Sequence, residues 1–196
     1  LQQSDSLPFS DTLTEEQIEA AFEEEGAPYD NDEPIFTPAL TLWGFLSQAL
    51  HKEEQRSCLA AVARIGVLLI AMGRPRCAEN NGPYCRARGR LPLPVIERLT
   101  RGVAHQCEAE VPDQWLWKGR HVKLADGTTV TMADTEENQA EFPQQSCQKK
   151  GLGFPIARLV VLLSLATAMT TGMAMGPYSG KETGELALLR ALFDPL

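Results

Sequence analysis

The 196-residue sequence lacks several features that would assign a protein to a common class. It has no Cys-x-x-Cys spacing and no paired histidines, so neither a disulfide framework nor a zinc site is indicated. It also lacks a signal peptide and an initiating Met, and because the first residue, Leu1, resembles a cut, we expect a fragment of a longer protein. Reduced thiols are expected at all five cysteines, which are Cys58, Cys77, Cys85, Cys107 and Cys147.

Basic residues are missing from the first 36 positions, which contain 11 acidic residues. Residues 37–125 carry a net charge of +6, and residues 126–196 carry −3. The total of −8 therefore hides a basic middle part of the chain. That part is the candidate surface for a polyanion such as DNA.

A fully apolar membrane span is also missing. Residues 156–175 have about the length that a bilayer requires, but they contain Arg158, Ser164 and Gly172. We interpret them as two buried strands, 158–166 and 171–178, because strands covered on both faces are almost continuously apolar. A membrane-associated protein that uses residues 156–175 stays a weaker alternative.

Helix-start signals are frequent in the first half of the chain. Thr14 and Gln17 form a capping box, and Thr37 precedes Pro38 at the first position of a helix. The apolar spacing then predicts a small helical domain in which Leu59 and Met72 point inward. We predict helices at about 15–25, 38–50, 57–72 and 94–107, an acidic segment with one helix at 1–36, and a helical domain at 37–112.

A short basic segment lies between the last two predicted helices. Tyr84 is followed by Arg86, Arg88 and Arg90, which places one aromatic ring and three cations close together. One interpretation is a phosphate-contacting turn or short helix, as in helix-turn-helix modules. A solvated basic loop explains the same residues equally well.

The stretch from Trp115 to Met132 organises the second half. Asp126 is in phase with alternating apolar residues, and a carboxylate on an apolar strand face requires a cation or convergent hydrogen bonds. The alternative is a hairpin turn at Asp126-Gly127. A β-branched run after Gly127 continues the alternation and favours one strand. The alternating apolar residues are Val122, Leu124, Val130 and Met132.

A polar segment without periodicity, residues 133–155, follows that strand. Loops of this length are uncommon within a domain unless they are functional. Lys149 and Lys150 are candidate phosphate contacts, and they are equally well explained as surface lysines. After the two further strands, residues 179–182 form a capping box for a helix whose Leu186, Leu189 and Phe193 share one face.

This order of elements predicts an α+β protein, with an all-helical amino-terminal domain and then the first half of a ribonuclease H-like domain, residues 113–196. That half consists of three antiparallel strands and a helix. A longer pattern covers nearly the whole chain and runs through TPALTLWGFLSQAL, EQRSCLAAVAR, NGPYCRARGRLP, WLWKGRHVKLADGTTVTMADTEENQAEFPQ, QKKGLGFPIARLVVLLSLAT and MGPYSGKETGELALLRALFD. In these stretches the sequence resembles the bacterial DDE transposases of the insertion sequence 4 family. Pro83 departs from the family pattern but lies outside the strand that carries Asp126.

The resemblance implies that Asp126 is the first of three acidic residues that hold two Mg²⁺ ions for cleavage and strand transfer at transposon ends. The other two acids would lie beyond this chain, so the isolated chain is expected to be inactive. By analogy with related transposases, the helical front domain with Arg86, Arg88 and Arg90 is the part expected to bind transposon ends, and Lys149 and Lys150 are added to the candidate DNA-binding residues. The implied partners are transposon ends and target DNA, without a membrane, in a nucleoid-associated bacterial cytoplasmic protein whose full-length form is compatible with a homodimer.

A different class of function explains the same features. A non-catalytic DNA-binding regulator, or a decayed truncated transposase, would occupy transposon ends or trap full-length subunits. The sequence downstream of residue 196 distinguishes the two hypotheses: a further Asp-bearing strand and a later Glu favour the enzyme, whereas a stop codon favours the regulator.

Overall fold

The structure, a computed structural model, describes residues 9–10, 12–27, 29, 35–77, 79–149 and 151–193. The chain divides into two compact units, unit 1 at residues 1–99 and unit 2 at 100–196. The described residues form seven α-helices and one antiparallel three-stranded sheet, which confirms the predicted α+β class. The domain boundaries predicted at residues 36 and 112 stay predictions.

Helices make up unit 1, and most of them start where local sequence signals predicted. The Thr14 Oγ accepts a hydrogen bond from the Gln17 N–H at 3.3 Å, and the Gln17 side chain accepts one from the Thr14 N–H at 2.9 Å. Thr37 caps the next helix in the same way at Leu40. The helices are α1 (Glu15–Glu24), α2 (Pro38–Leu50), α3 (Cys58–Ala71), α4 (Gly82–Gly89) and α5 (Leu93–Ala109), which begins in unit 1 and ends in unit 2.

The core of unit 1 is formed by apolar side chains from every one of these helices. Gly44 on α2 is needed for close packing, since a Cβ there would lie 2.8 Å from the Cδ1 of Ile65 on α3. Burial of these side chains supplies most of the stability of such a unit. The completely buried or nearly buried members include Ile18, Leu40, Ile65, Tyr84 and Val95.

The prediction that Leu59 and Met72 point into the core was wrong. Leu59 is 57% exposed and Met72, just after the helix, is 49% exposed. The covered part of α3 runs from Ala61 to Leu69, so apolar side chains near its two ends remain in contact with water. Helical spacing identified the correct stripe but not how far along the helix its partners reach.

Unit 2 contains an antiparallel meander. Strand β1 (Lys123–Thr131) pairs with β2 (Ile156–Ser164), which pairs with β3 (Thr170–Pro177). A short helix, α6 (Glu136–Glu141), lies in the β1–β2 connection, and α7 (Glu185–Ala191) follows β3. Three antiparallel strands followed by a helix are consistent with a partial ribonuclease H-like arrangement.

The apolar residues 156–175 contain β2, the connection at 165–169 and most of β3, which confirms the two predicted strands. The prediction that both are buried was wrong for β3, where Met173 and Met175 are 47% and 44% exposed. No helix within the described ranges is long and apolar enough to cross a membrane.

Helix α7 departs from its prediction. It begins at Glu185 after Gly184, without a side-chain cap, so the capping box predicted at residues 179–182 was wrong. Leu188 is the buried member, whereas Leu186 is 70% exposed and Phe193 is 51% exposed. The covered face is instead the one that bears Leu188, which packs over Gly176 of β3, where a Cβ would meet its Cδ2 at 3.2 Å.

Candidate functional site

Asp126 lies within β1 and directly opposite Val161 of β2. The pairing continues without interruption from Lys123 to Thr131, so Asp126 and Gly127 are strand residues. The hairpin-turn interpretation of this dipeptide was therefore wrong, and the single-strand interpretation is confirmed.

The prediction that Asp126 is held inward was wrong, because its side chain is exposed. It lies on the open face of the sheet, whose apolar members Leu124 and Val130 are 49% and 42% exposed. Helix α7 covers the opposite face, where Gly127 and Gly172 leave room for its side chains. The alternation along β1 was read correctly, but the buried face that it predicted was wrong, because β1 is exposed on both faces except at the partly covered Gly127.

The Asp126 carboxylate accepts a hydrogen bond from the Gly127 N–H at 2.9 Å. Glu185 of α7 lies against the same glycine, since a Cβ on Gly127 would be 2.8 Å from the Glu185 Oε1. Two acidic side chains thus flank Gly127 from opposite faces of the strand. Sequence reasoning missed Glu185, because no local pattern links it to a strand far earlier in the chain.

A two-cation site needs several convergent oxygen ligands. Within the part of the chain that the structure describes, no group of three or more His, Cys, Asp or Glu side chains is placed to hold a metal ion. Asp126 is a hard oxygen donor of the type that Mg²⁺ prefers, but it is a single exposed carboxylate. The described residues therefore do not fit the implied pair of Mg²⁺ ions by themselves.

The connection between β1 and β2 is held in one shape by glutamine side chains. The Gln144 Oε1 accepts hydrogen bonds from the Gly151 and Gly153 N–H groups at 3.1 and 3.2 Å, and its amide donates to the Lys149 carbonyl at 3.0 Å. Gln139 donates to the Gly153 carbonyl at 3.0 Å and accepts from the Gln144 N–H at 3.1 Å. These bonds replace the regular backbone pairing that a long loop lacks.

This connection was predicted to be an irregular polar segment, yet it contains α6. The Thr135 Oγ1 accepts a hydrogen bond from the Asn138 N–H at 3.2 Å and so caps α6. A Thr at this position is a helix-start signal that was not recognised from the sequence. Lys149 is exposed at the far end of the connection. Lys150 lies outside the described residues, so its predicted role stays a prediction.

The basic segment of unit 1 is a short helix, α4, rather than a loop. Its Arg88 Nη1 donates to the Gln48 Oε1 at 3.3 Å, and that oxygen also accepts from the buried Tyr84 hydroxyl at 2.6 Å. Arg88 is half-buried, whereas Arg86 and Arg90 are exposed. Arg88 therefore has a bond that supports the fold, and no local pattern in the sequence predicts it.

Burial affects the ionisation of two tyrosines in the same region. Burial raises the pKa of Tyr84 well above its ordinary value, against an opposing effect of the Arg88 charge. Burial also raises the pKa of Tyr29, whose hydroxyl donates to the Ala87 carbonyl of α4 at 3.1 Å. Both hydroxyls are thus neutral structural donors at ordinary pH.

The predicted site residues fall into both units. Arg86, Arg88 and Arg90 belong to unit 1, while Asp126 and Lys149 belong to unit 2. Within unit 2, Asp126 is a β1 residue and Lys149 belongs to the β1–β2 connection.

A comparison with known proteins supports a relationship to the transposases of insertion sequences. The chain is 26% identical over 148 residues to the transposase InsG for insertion sequence element IS4 of Escherichia coli (strain K12). The matched region covers 76% of this chain and 32% of the relative, so the chain spans about a third of that protein. No protein-family model matches the chain, and no solved structure matches it.

Proposed function

We propose that this chain is part of an insertion-sequence transposase of the DDE type, an enzyme that cuts and joins DNA at transposon ends. The similarity to the IS4 transposase over 148 residues carries the proposal. The position of Asp126 within the first strand of a three-stranded meander agrees with it, because the first catalytic acid is expected on such a strand.

In this proposal Asp126 is the first of three acidic ligands for two Mg²⁺ ions. A single carboxylate does not hold two ions, and the described residues contain no group of three or more side chains placed to hold a metal ion. We therefore expect the 196-residue chain by itself to bind DNA without cutting it. The exposed position of Asp126 fits the role of a metal ligand, since a ligand beside a phosphodiester has to be accessible to the DNA.

DNA binding is assigned in this proposal to Arg86, Arg88 and Arg90 of unit 1 and to Lys149 and Lys150 of unit 2. Arg86 and Arg90 are exposed, so phosphate contacts need no rearrangement of the core. Arg88 has to remain bonded to Gln48 while it contributes positive charge at the surface.

The test measures DNA binding and cleavage with the 196-residue chain. We expect binding that weakens with salt, and no nicking of supercoiled plasmid with Mg²⁺ or Mn²⁺. Each lost phosphate contact lowers the slope of log K against log salt by about 0.9, so Arg86→Ala with Arg90→Ala should lower it by nearly twice that. Absence of salt-dependent DNA binding contradicts the proposal, and metal-dependent nicking contradicts the inference that this chain is inactive.

A second candidate function is a regulator that binds DNA without cutting it. The absence of a group of metal-binding side chains among the described residues favours this candidate as much as it favours an incomplete enzyme. Mixing the chain with the full-length transposase of the same element distinguishes the two. A regulator should inhibit transposition when it is in excess, whereas an inert fragment should leave the rate unchanged.

A further inference from the structure

Residues 115–120 lie shortly before the strand that carries Asp126: Trp115 ends a short 3-10 helix (Asp113–Trp115), and residues 117–120 form a tight hairpin. The Trp117 N–H donates to the Arg120 carbonyl, and the Arg120 N–H donates to the Trp117 carbonyl, both at 3.0 Å. Lys118 and Gly119 between them have φ values of +51° and +73°. Two consecutive left-handed residues closed by paired bonds are typical of a type I′ turn, so the hairpin has a defined shape.

Two indole rings of this segment are turned towards solvent. Trp115 and Trp117 are each 60% exposed, whereas Trp43 in unit 1 is 6% exposed and its indole N–H donates to the Leu13 carbonyl at 2.9 Å. Exposed tryptophans two positions apart leave a large apolar area of their rings in water. Such a patch is typical of a surface that binds a partner.

The hairpin also carries positive charge. The Lys118 ammonium lies 5.1 Å from the centroid of the Trp117 ring, a cation–π contact. Among the residues that the structure describes, neither Lys118 nor Arg120 forms an ion pair. Lys123, by contrast, is neutralised by an ion pair with Glu108. The charge available on the hairpin is therefore that of the two residues beside the indole rings.

We propose that residues 115–120 bind unpaired DNA, with the Trp115 and Trp117 rings stacked on bases and the Lys118 and Arg120 charges on the backbone phosphates. Flat rings next to cations are typical of surfaces that bind single-stranded nucleic acid, because each base offers a π-face and each linkage offers a phosphate. The inference rests on the proposed function, since it takes DNA as the ligand. It adds that the DNA is single-stranded at this contact, and it names the residues that bind it.

Unpaired bases are the expected target because bases in an intact duplex already stack on each other. A duplex with a single-stranded overhang should therefore bind more tightly than the same duplex with blunt ends. The preference should not depend strongly on sequence, since stacking is available to every base.

The experiment titrates the 196-residue chain with both duplexes and compares two double variants. Trp115→Ala with Trp117→Ala should lower the affinity for the overhang about tenfold or more, remove its advantage over the blunt end, and leave the salt slope unchanged. Lys118→Ala with Arg120→Ala should instead lower that slope by about 1.5. Matched controls outside the hairpin, Phe193→Ala and Lys181→Ala, should leave both quantities unchanged, and circular dichroism verifies folding.

Each outcome decides either the hairpin inference or the proposed function. If the wild-type chain binds DNA and the tryptophan double variant binds it equally well, the hairpin inference is overturned while the proposed function stands. If the wild-type chain binds neither duplex, both fail. If the tryptophan variant instead loses binding to anionic phospholipid vesicles that the wild type binds, the hairpin is a membrane contact and the DNA assignment is wrong.

Discussion

Replacing Arg88 tests whether a predicted DNA-binding residue also stabilises the fold. Its guanidinium donates to the Gln48 Oε1 at 3.3 Å, and Gln48 is only 8% exposed. Hydrogen bonds from charged groups contribute about 1.5–3 kcal/mol, but this one is long, and the same oxygen keeps its 2.6 Å bond from Tyr84. We therefore expect Arg88→Ala to lower the free energy of unfolding by about 1 kcal/mol.

The exposed Arg86 on the same helix is the matched control, and Arg86→Ala should change stability by less than about 0.5 kcal/mol. Gln48→Ala should cost more than Arg88→Ala, about 2–3 kcal/mol, because it leaves the buried Tyr84 hydroxyl without its acceptor. The double variant Arg88→Ala with Gln48→Ala isolates the energy of their bond.

Urea unfolding monitored by Trp43 fluorescence measures these values, in a background where Trp115 and Trp117 are replaced by Phe. Trp43 is then the remaining tryptophan of the chain and lies in the core of unit 1. Equal stabilities of the Arg88 and Arg86 variants would refute the structural role of Arg88. A coupling energy near zero with Gln48 would refute the hydrogen bond as its cause.

Three further predictions concern the helix α7, the β1–β2 connection and the core of unit 1. Leu188→Ala should lower stability by about 2–3 kcal/mol and the exposed Leu186→Ala by less than about 0.5, as measured by urea unfolding; the reverse order would restore the helical face predicted from sequence. Gln144→Ala should accelerate hydrogen exchange of the Gly151 and Gly153 amides at least tenfold, because both donate to the Gln144 side chain. Unchanged exchange would contradict the role of Gln144 in holding the β1–β2 connection. Folding raises the pKa of Tyr84, so the neutral hydroxyl contributes its full stability below pH 10, and this contribution is lost as the pH rises further. The free energy of unfolding should therefore fall by up to about 1.4 kcal/mol per pH unit above pH 10. Urea unfolding at alkaline pH should show a smaller fall in Tyr84→Phe.

This chain is similar to a transposase, but its described residues do not bring together a group of acidic side chains that could hold a metal ion. Asp126 is accessible, and the face of β1 that bears it is open. We therefore regard the completeness of the acidic site, rather than the accessibility of its first member, as the property that decides between enzyme and regulator. The metal-dependent nicking assay measures that property directly.

Local signals in the sequence determined where most elements begin. A Thr oxygen that caps the backbone N–H three residues later acts within one turn, so Thr14 and Thr37 predicted helix starts that the structure confirms. The period-two pattern around Asp126 likewise depends on neighbouring residues, and it predicted a strand where the structure has one.

Tertiary contacts decided what those elements cover. Helix α7 packs against β2 and β3, where Gly172 and Gly176 leave space for its side chains, and it reaches β1 at Gly127. Strand β1 therefore stays largely exposed. The bond between Arg88 and Gln48 joins residues of different helices, so no local pattern encodes it. The sequence alone determined the elements and the family resemblance, whereas burial and bonding depend on residues distant in the chain, which only folding brings into contact.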